Sequence, residues 1–284
     1  MKLKLIAAAA ALAAAGSAGA AVTLPSTGNS DMVANFFSTA SNSTISFDLG
    51  ISMLDFTNAV GGSATGIKLV WDLDAGTFQD LSAAATGLVS QAINYGNLFN
   101  EFLAEGSLDS LKFDVKAGDR NPTFNPAAGT NNLLTTSAAP SVTSQNAALF
   151  NALNVLGTSF GFMNGDATGS THGAATAGAN KYNDGDIAAQ YAFLTRDGEN
   201  LKNLPFQTTG SVSNPLNMFL LANSSSAAAG AAVVTALSGL WTFDALTNQL
   251  IYATAPVPEP EAFAMLLAGL GLMGAIARRR RSQA

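Results

Sequence analysis

Three residues in the middle of the chain have the types needed for nucleophilic catalysis. Ser159 is the centre of Gly-Thr-Ser-Phe-Gly, a G-x-S-x-G pattern, and Asp166 and the single histidine, His172, follow it. A serine hydrolase needs a base to accept the serine proton and a carboxylate to orient that base, so these residue types suffice. The elbow that presents such a serine also requires a buried strand before it, whereas residues 146–156 have a helical pattern. Serine hydrolysis is therefore an alternative, and a structural use of Ser159 is the simpler interpretation.

Oxygen-bearing side chains cluster further on, in Asn-Lys-Tyr-Asn-Asp-Gly-Asp-Ile at residues 180–187. Calcium prefers several carboxylate and carbonyl ligands, and Asn180, Asp184 and Asp186 are suitable donors. The segment departs from the EF-hand pattern, because Tyr182 occupies the third position and a second tyrosine stands where a bidentate glutamate is expected. A turn built on Asp-Gly is the simpler interpretation, with a calcium site as the alternative. No other cofactor is predicted.

Two further patterns carry less weight. Asp72 and Asp74 lie on one side of an alternating segment and would form a carboxylate pair of the kind that glycosidases use, but such polar strand faces are common. Residues 269–274 fit G-x-G-x-x-G, but they follow no predicted strand and lie in an apolar segment, which excludes dinucleotide binding. The sequence thus offers no convincing catalytic constellation, and we predict a protein that is not an enzyme.

The C-terminus combines three physically distinct parts over residues 257–281. The first part is the motif Val257, Pro258, Glu259 and Pro260. Its two prolines prevent it from lying in a helix interior. Residues 262–277 are apolar and would extend about 24 Å as a helix, marginally enough to cross a bilayer. The basic end consists of Arg278, Arg279, Arg280 and Arg281. Because clustered arginines remain cytoplasmic, the sequence predicts a single transmembrane helix with the proline motif on the outer side.

This order of parts resembles the PEP-CTERM sorting signal of bacterial envelope proteins. The resemblance implies a Gram-negative host whose integral-membrane exosortase recognises the motif and removes the tail. It also implies that the released protein reaches the cell surface or the exopolysaccharide matrix. The resemblance concerns only the end of the chain, so it indicates where the protein goes and leaves the activity of the remaining residues open.

The N-terminus has the parts of a secretory signal peptide over residues 1–20. Lys2 and Lys4 precede an apolar core, and Ala18, Gly19 and Ala20 form an A-x-A cleavage site. Removing both ends leaves one predicted secreted domain over residues 21–256. Of the 13 basic and 19 acidic residues, 7 and 17 remain in that part, a formal charge near −10. This charge argues against nucleic-acid partners, and the absence of cysteine excludes disulfides and thiolate metal sites.

Several segments of the secreted part alternate apolar and polar residues with the period of a strand. They lie at residues 44–53, 67–74, 111–116 and 241–244, and a turn at Thr247 and Asn248 adds a hairpin strand at 250–252. In the third segment the apolar residues alternate with Lys112, Asp114 and Lys116. Strands with one polar face are typical of antiparallel sheets that cover a single core and leave the other face in water.

Helical spacing of apolar residues occurs at 88–103 and 149–156. Residues 161–186 are rich in small and polar residues and predict a long surface loop, while residues 224–232 fit either a helix or a linker. Strands interrupted by helices predict a mainly β fold, an antiparallel β-sandwich or jelly-roll-like domain with helical insertions. An α+β layout, with helices covering one sheet, is the alternative.

Together these observations predict a noncatalytic, exosortase-sorted protein associated with exopolysaccharide and biofilm. Its predicted partners are the exosortase, the inner membrane that anchors its C-terminal helix transiently before cleavage, and exopolysaccharide. The alternatives are a secreted serine or carboxylate hydrolase that acts on a matrix polymer, and a calcium-stabilised surface binding domain.

Overall fold

The computed structural model describes residues 22–41, 43–61, 65–90, 98–121, 126–164, 180–183, 201 and 204–255. These residues belong to the predicted secreted domain. The predicted signal peptide at 1–20 and the predicted sorting signal at 257–281 lie outside the described residues.

Antiparallel strands account for most of the described secondary structure. In chain order they are β1 Asp31–Ser38, β2 Ser43–Ser52, β3 Lys68–Asp72, β4 Thr77–Asp80, β5 Leu111–Asp119, β6 Asn132–Ser137, β7 Asn180–Asn183, β8 Gly210–Ser211, β9 Leu216–Ala222, β10 Val233–Asp244 and β11 Gln249–Ala253. The helices are α1 Met53–Val60, α2 Leu98–Glu105 and α3 Asn146–Asn164, with short 3-10 turns at Pro25–Thr27 and Leu108–Ser110. The prediction of a mainly antiparallel β fold with helical insertions is confirmed.

The described strands form one hydrogen-bonded sheet of 11 strands rather than the two separate sheets of a sandwich or jelly roll. The order is β4-β3-β11-β10-β9-β6-β5-β1-β2-β7, with β8 paired to β5. The sheet curves into a half-barrel. The rings of Phe36 in β1 and Phe243 in β10 lie 5.1 Å apart although three strands separate them. Similarly, the indole N–H of Trp71 in β3 donates to the Leu49 carbonyl in β2 at 3.0 Å. Because the sheet curls around its own core, that core needs no second sheet to cover it.

The inner face of the half-barrel is an aromatic core closed by two helices. Phe99 of α2 lies 5.0 Å from Phe36, and Phe56 of α1 stacks on Trp241 at 5.8 Å. Helix α1 begins where Ser52 accepts a hydrogen bond from the backbone N–H of Asp55, a side-chain N-cap that satisfies one of the unpaired amides of the first turn. The two helices therefore contribute aromatic rings that fill the part of the core left unfilled by the side chains of the strands.

The outer face is also buried near the middle of the sheet, because α3 packs across it. Leu153 and Leu156 of α3 lie so close to β5 that a Cβ added at Gly118 would come within 2.7 Å of the Leu153 Cδ2 atom. The prediction of a wet face on β5 is therefore wrong, since Asp114 and Lys116 are both 0 % exposed. A sheet that holds helices on both faces leaves little of its central strands to water.

The predicted segments differ from the observed ones in their bounds. The hairpin at Thr247 and Asn248 is confirmed, with Asn248 at a φ of 51°. The second helix is longer than its apolar spacing indicated, reaching Asn164 and so replacing the first residues of the predicted loop at 161–186. The first predicted helix is too long, because residues 88–90 are not helical and α2 begins at Leu98. Residues 224–230 form turns, which the Asn146 side chain fastens by donating to the Ala227 carbonyl.

Candidate functional site

The serine of the G-x-S-x-G pattern lies inside α3. Ser159 is 0 % exposed, and its hydroxyl donates to the Val155 carbonyl one turn earlier in the helix, at 3.1 Å. A nucleophile elbow is a sharp turn from a strand into a helix that exposes the hydroxyl, and a buried hydroxyl within a helix is the opposite arrangement. Asp166 and His172 lie outside the described residues. The pattern at Ser159 is therefore helix sequence rather than an elbow.

The two aspartates considered as a carboxylate pair fasten loops to the sheet. Asp72 ends β3, and its Oδ1 accepts hydrogen bonds from the backbone N–H groups of Asp74 and Ala75 at 3.0 and 2.8 Å. The Asp74 carboxylate accepts from the side-chain amides of Asn100 at 3.0 Å and Asn248 at 2.9 Å. Asp74 thus joins α2 to the β10–β11 turn, and the two aspartates have separate structural partners.

Asn180, the first residue of the predicted calcium loop, begins the edge strand β7. It pairs with Phe47 of β2 in the antiparallel register. Asp184 and Asp186 lie outside the described residues, so the calcium site stays a prediction. Elsewhere in the described ranges, no three carboxylate or imidazole side chains come together in a way that could hold a metal ion.

The C-terminal strand leads the chain directly towards the predicted sorting motif. Beyond the end of β11, the Thr254 backbone N–H donates to the Ile67 carbonyl at 3.0 Å, and the Gly66 N–H donates to the Ala255 carbonyl at 2.9 Å. The last strand is therefore held to β3 as far as Ala255. Val257, the first residue of the motif, follows two positions later.

A buried polar row that the sequence interpretation missed crosses β2, β1 and β5 on the outer face. Asn35 is directly opposite Ser46 on one side and Asp114 on the other. The Ser46 hydroxyl donates to Asn35 Oδ1 at 2.6 Å, and Asn35 Nδ2 donates to Asp114 Oδ1 at 2.8 Å. The second carboxylate oxygen, Oδ2, accepts from the ammonium group of Lys116 in a buried ion pair.

Burial dominates the electrostatics of this row. Desolvation raises the pKa of Asp114 above its usual value, although Lys116 and Asn35 act in the opposite direction. Desolvation likewise lowers the pKa of Lys116, against the attraction of Asp114. In the neighbouring row of the same face, burial raises the pKa of Asp48 to about 8, while a hydrogen bond from the Gly50 N–H lowers it and the charge of Asp31 raises it. Protons are therefore retained on these buried acids more strongly than in water.

One signal in the sequence could have revealed the row. The segment at 31–38 contains a nearly continuous apolar run, which is typical of a strand buried on both faces. Asn35 lies within that run. If this strand is buried on both faces, the residues beside it on the adjacent strands are buried too. The charged side chains of Asp114 and Lys116 on β5 then need hydrogen-bond or ion-pair partners in the protein, because water does not reach them.

Comparison with known proteins identifies only the end of the chain. Residues 256–281 match the family model described as the PEP-CTERM protein-sorting motif. No curated protein and no solved structure matches the chain. Within the described residues, no helix has the length and apolar character needed to cross a membrane. The predicted transmembrane segment at 262–277 is outside that part of the chain.

Proposed function

We propose that the chain is sorted by an exosortase to the outside of the cell, as the PEP-CTERM protein-sorting motif at residues 256–281 implies, and that its β domain acts there as a noncatalytic component of the cell surface or matrix. The polymer that it contacts in this proposal is exopolysaccharide. The inner membrane anchors the protein only before processing.

The observation that carries the proposal is the position of the last strand relative to the motif. β11 lies between β3 and β10 and keeps its hydrogen bonds as far as Ala255, immediately before residues 256–281 of the matched motif. A cut within the motif would therefore remove no strand or helix of the described fold. This arrangement supports release of an intact domain.

The short connection also defines where the domain would lie before processing. Six residues separate Ala255 from the apolar segment that starts at Ala262, and the seven Cα-to-Cα steps between these two alanines reach about 25 Å when fully extended. The domain would therefore be held close to the outer surface of the membrane. Its formal charge near −10 would oppose adsorption to anionic lipid, which supports release once the tail is cut.

Two observations support a noncatalytic role. Ser159 is buried in a helix and bonded to Val155, and the carboxylates of Asp72 and Asp74 fasten turns and a helix. These placements count against the serine and carboxylate hydrolases that the sequence offers as alternatives.

Fractionation of the host with and without its exosortase tests the sorting. We expect a surface or medium form whose intact mass lacks residues 1–20 and the residues after Pro260, and we expect it to disappear in the exosortase-deficient strain. A protein that keeps residues 262–281 in the inner membrane of both strains would contradict this expectation.

The proposed contact with the matrix is tested by binding of the processed protein to exopolysaccharide isolated from the same host. A cysteine-free acidic protein of similar charge is the control. Failure to bind would exclude the matrix contact but leave the sorting intact.

A further inference from the structure

The buried row brings together an amine, a carboxamide and a carboxylic acid on one face of neighbouring strands. The carboxylate of Asp114 is bonded to both other groups, because Oδ1 accepts from Asn35 Nδ2 at 2.8 Å and Oδ2 accepts from Lys116 Nζ. Lys116 lies two residues beyond Asp114 on β5, diagonally across from Asn35 of β1. One carboxylate therefore connects the amine directly to the carboxamide.

The surroundings exclude water from these groups. Asn35, Asp114 and Lys116 are each 0 % exposed, and Ser46 is 1 % exposed. Desolvation lowers the pKa of Lys116 and raises that of Asp114, which shifts the buried ion pair towards an uncharged amine beside a protonated acid. An uncharged amine is a nucleophile, whereas an ammonium group is not.

We propose that Lys116 and Asn35 form an intramolecular isopeptide bond in the folded domain, with Asp114 as the catalytic acid and base. Lys116 Nζ attacks Asn35 Cγ, and the carbonyl electron pair moves onto Oδ1. Asp114 accepts a proton from Nζ and delivers a proton to Nδ2. The carbonyl then re-forms, the bond from Cγ to Nδ2 breaks, and ammonia leaves. One carbon–nitrogen bond forms and one breaks, and no oxidant, metal or cofactor takes part.

Ser46 completes the site as the group that stabilises the developing charge. Its hydroxyl already donates to Asn35 Oδ1 at 2.6 Å, the atom on which negative charge grows during the attack. A donor held at that atom before the reaction lowers the barrier without reorganisation, as in other acyl transfers. The four side chains thus supply a nucleophile, an electrophile, a proton carrier and a stabilising donor.

The product would tie β1 to β5 covalently in a domain that has no disulfide. The chain contains no cysteine although it is exported. A link between positions 35 and 116 would close a long loop in the unfolded chain, and closing such a loop restricts the unfolded state in the way that a disulfide does.

Mass spectrometry of the full chain purified from its host tests the proposal. The denatured protein should be lighter than its processed sequence by the mass of one ammonia. Trypsin should not cut after Lys116, and the peptide 113–120 should appear in one branched ion with the peptide that ends at Lys68. Lys116→Met and Asp114→Ala should each restore the unmodified mass. The matched control Lys112→Met, on the same strand, should keep the ammonia loss and the branched link, which then joins the longer peptide 69–120 because the cleavage site at residue 112 is gone.

The outcomes separate the bond from other losses. An unmodified wild-type mass would overturn the proposal without any variant, so poor folding of a variant does not affect the test. An ammonia loss that persists in Lys116→Met would assign it to another asparagine, such as Asn164 before Gly165, and would also overturn it. Loss of water instead would place the bond between Lys116 and Asp114 and contradict the assignment to Asn35.

Discussion

The two faces of the sheet are buried by different means, although the same strands contribute to both. The inner face is lined by rings and aliphatic side chains that contact one another, with Phe36 in contact with four other phenylalanines. The outer face combines an aliphatic patch beneath α3 with the polar row through Asn35 and Asp114. The inner face is stable in proportion to the apolar area that it removes from water, whereas the polar row is stable only while every group keeps its partner.

This difference predicts unequal responses to substitution. Shortening an inner side chain leaves a cavity, and the cost depends on how far the neighbours can relax. Removing one member of the outer row leaves a buried charge or donor without a partner, and the cost can be recovered by changing its partner too. The following experiments test whether the two faces differ in this way.

The largest effect is expected at the centre of the inner face. Phe36→Ala should lower the free energy of unfolding by about 4 kcal/mol, because it removes a ring that contacts Phe47, Phe99, Phe113 and Phe243 at 5.0 to 6.2 Å. Urea denaturation measures the change. Leu246→Ala is the control, since Leu246 is 96 % exposed and should change stability by less than about 0.5 kcal/mol. Similar results for both variants would mean that the ring cluster is not the core.

A somewhat smaller loss is expected in the polar row. Relative to wild-type protein in which the proposed isopeptide bond has not formed, Lys116→Met should cost about 3 kcal/mol, because Asp114 loses its ion pair in a site without water. Protonation of Asp114 limits the loss. The double variant Asp114→Asn with Lys116→Met should regain most of the stability, since asparagine still accepts from Asn35 and carries no charge.

Both variants lack the amine of Lys116, so neither can form the proposed isopeptide bond and their difference reports only the buried charge. Urea denaturation of the two, side by side, measures it. A double variant that is less stable than Lys116→Met would show that the outer row does not depend on matched partners.

The pH dependence of stability should separate the faces next, because the buried carboxylates of the described residues, Asp48 and Asp114, lie on the outer face. On the inner face, burial raises the pKa of Tyr252 to about 12, so that this group does not titrate near neutral pH. The pKa of Asp48 is raised from 3.8 to about 8, so the folded state keeps a proton that the unfolded state releases. The stabilisation is therefore complete below about pH 4 and is lost as the pH rises towards 8.

We expect the free energy of unfolding to fall over that pH range, with a slope that cannot exceed about 1.4 kcal/mol per pH unit. Asp48→Asn should flatten the slope, because the amide still accepts from the Gly50 N–H and does not titrate in this range. Urea midpoints at several pH values for both proteins measure it. Parallel slopes in the two proteins would assign the pH dependence to other groups.

The smallest effect is expected at the edge of the sheet, where β7 leads into the predicted calcium loop. If Asn180, Asp184 and Asp186 bind calcium, an excess of ten times the dissociation constant should stabilise the protein by about 1.4 kcal/mol. Thermal unfolding with calcium and with chelator measures this shift. Asp184→Asn should abolish it, and Asp244→Asn at the end of β10 should not. An unchanged melting temperature would exclude the calcium site.

How far the sequence predicts this fold depends on the face of the strand. The inner face of β2 and β5 was predictable because Phe47 and Phe113 alternate with polar residues at the period of a strand. The polar residues between them looked like a wet face. Alternation within one strand does not show whether its polar face is exposed to water or covered by a helix, since α3 comes from a different part of the chain.

The sites divide in the same way. The sorting motif was predictable because Pro258, Glu259 and Pro260 act as a contiguous segment in a fixed order with the apolar run and the arginines. The row through Asn35, Ser46 and Asp114 depends on the register between three strands, with Asn35 and Asp114 79 positions apart. Such a register is set by the closed sheet, so no short window of the sequence contains it.

The place of β11 in the sheet sets the order in which the exported domain can be completed. Among the described strands, β3 and β4 join the rest of the sheet only through β11, which is the last strand to leave the ribosome and the export channel. The β3–β4 hairpin must therefore wait without a neighbouring strand in the sheet while about 170 residues pass through the membrane after it. Its docking occurs only when Gln249–Ala253 emerges, with the sorting segment directly behind. Completion of the fold and arrival of the cleavage signal thus coincide in time, so that an exosortase meets a chain whose domain has just closed.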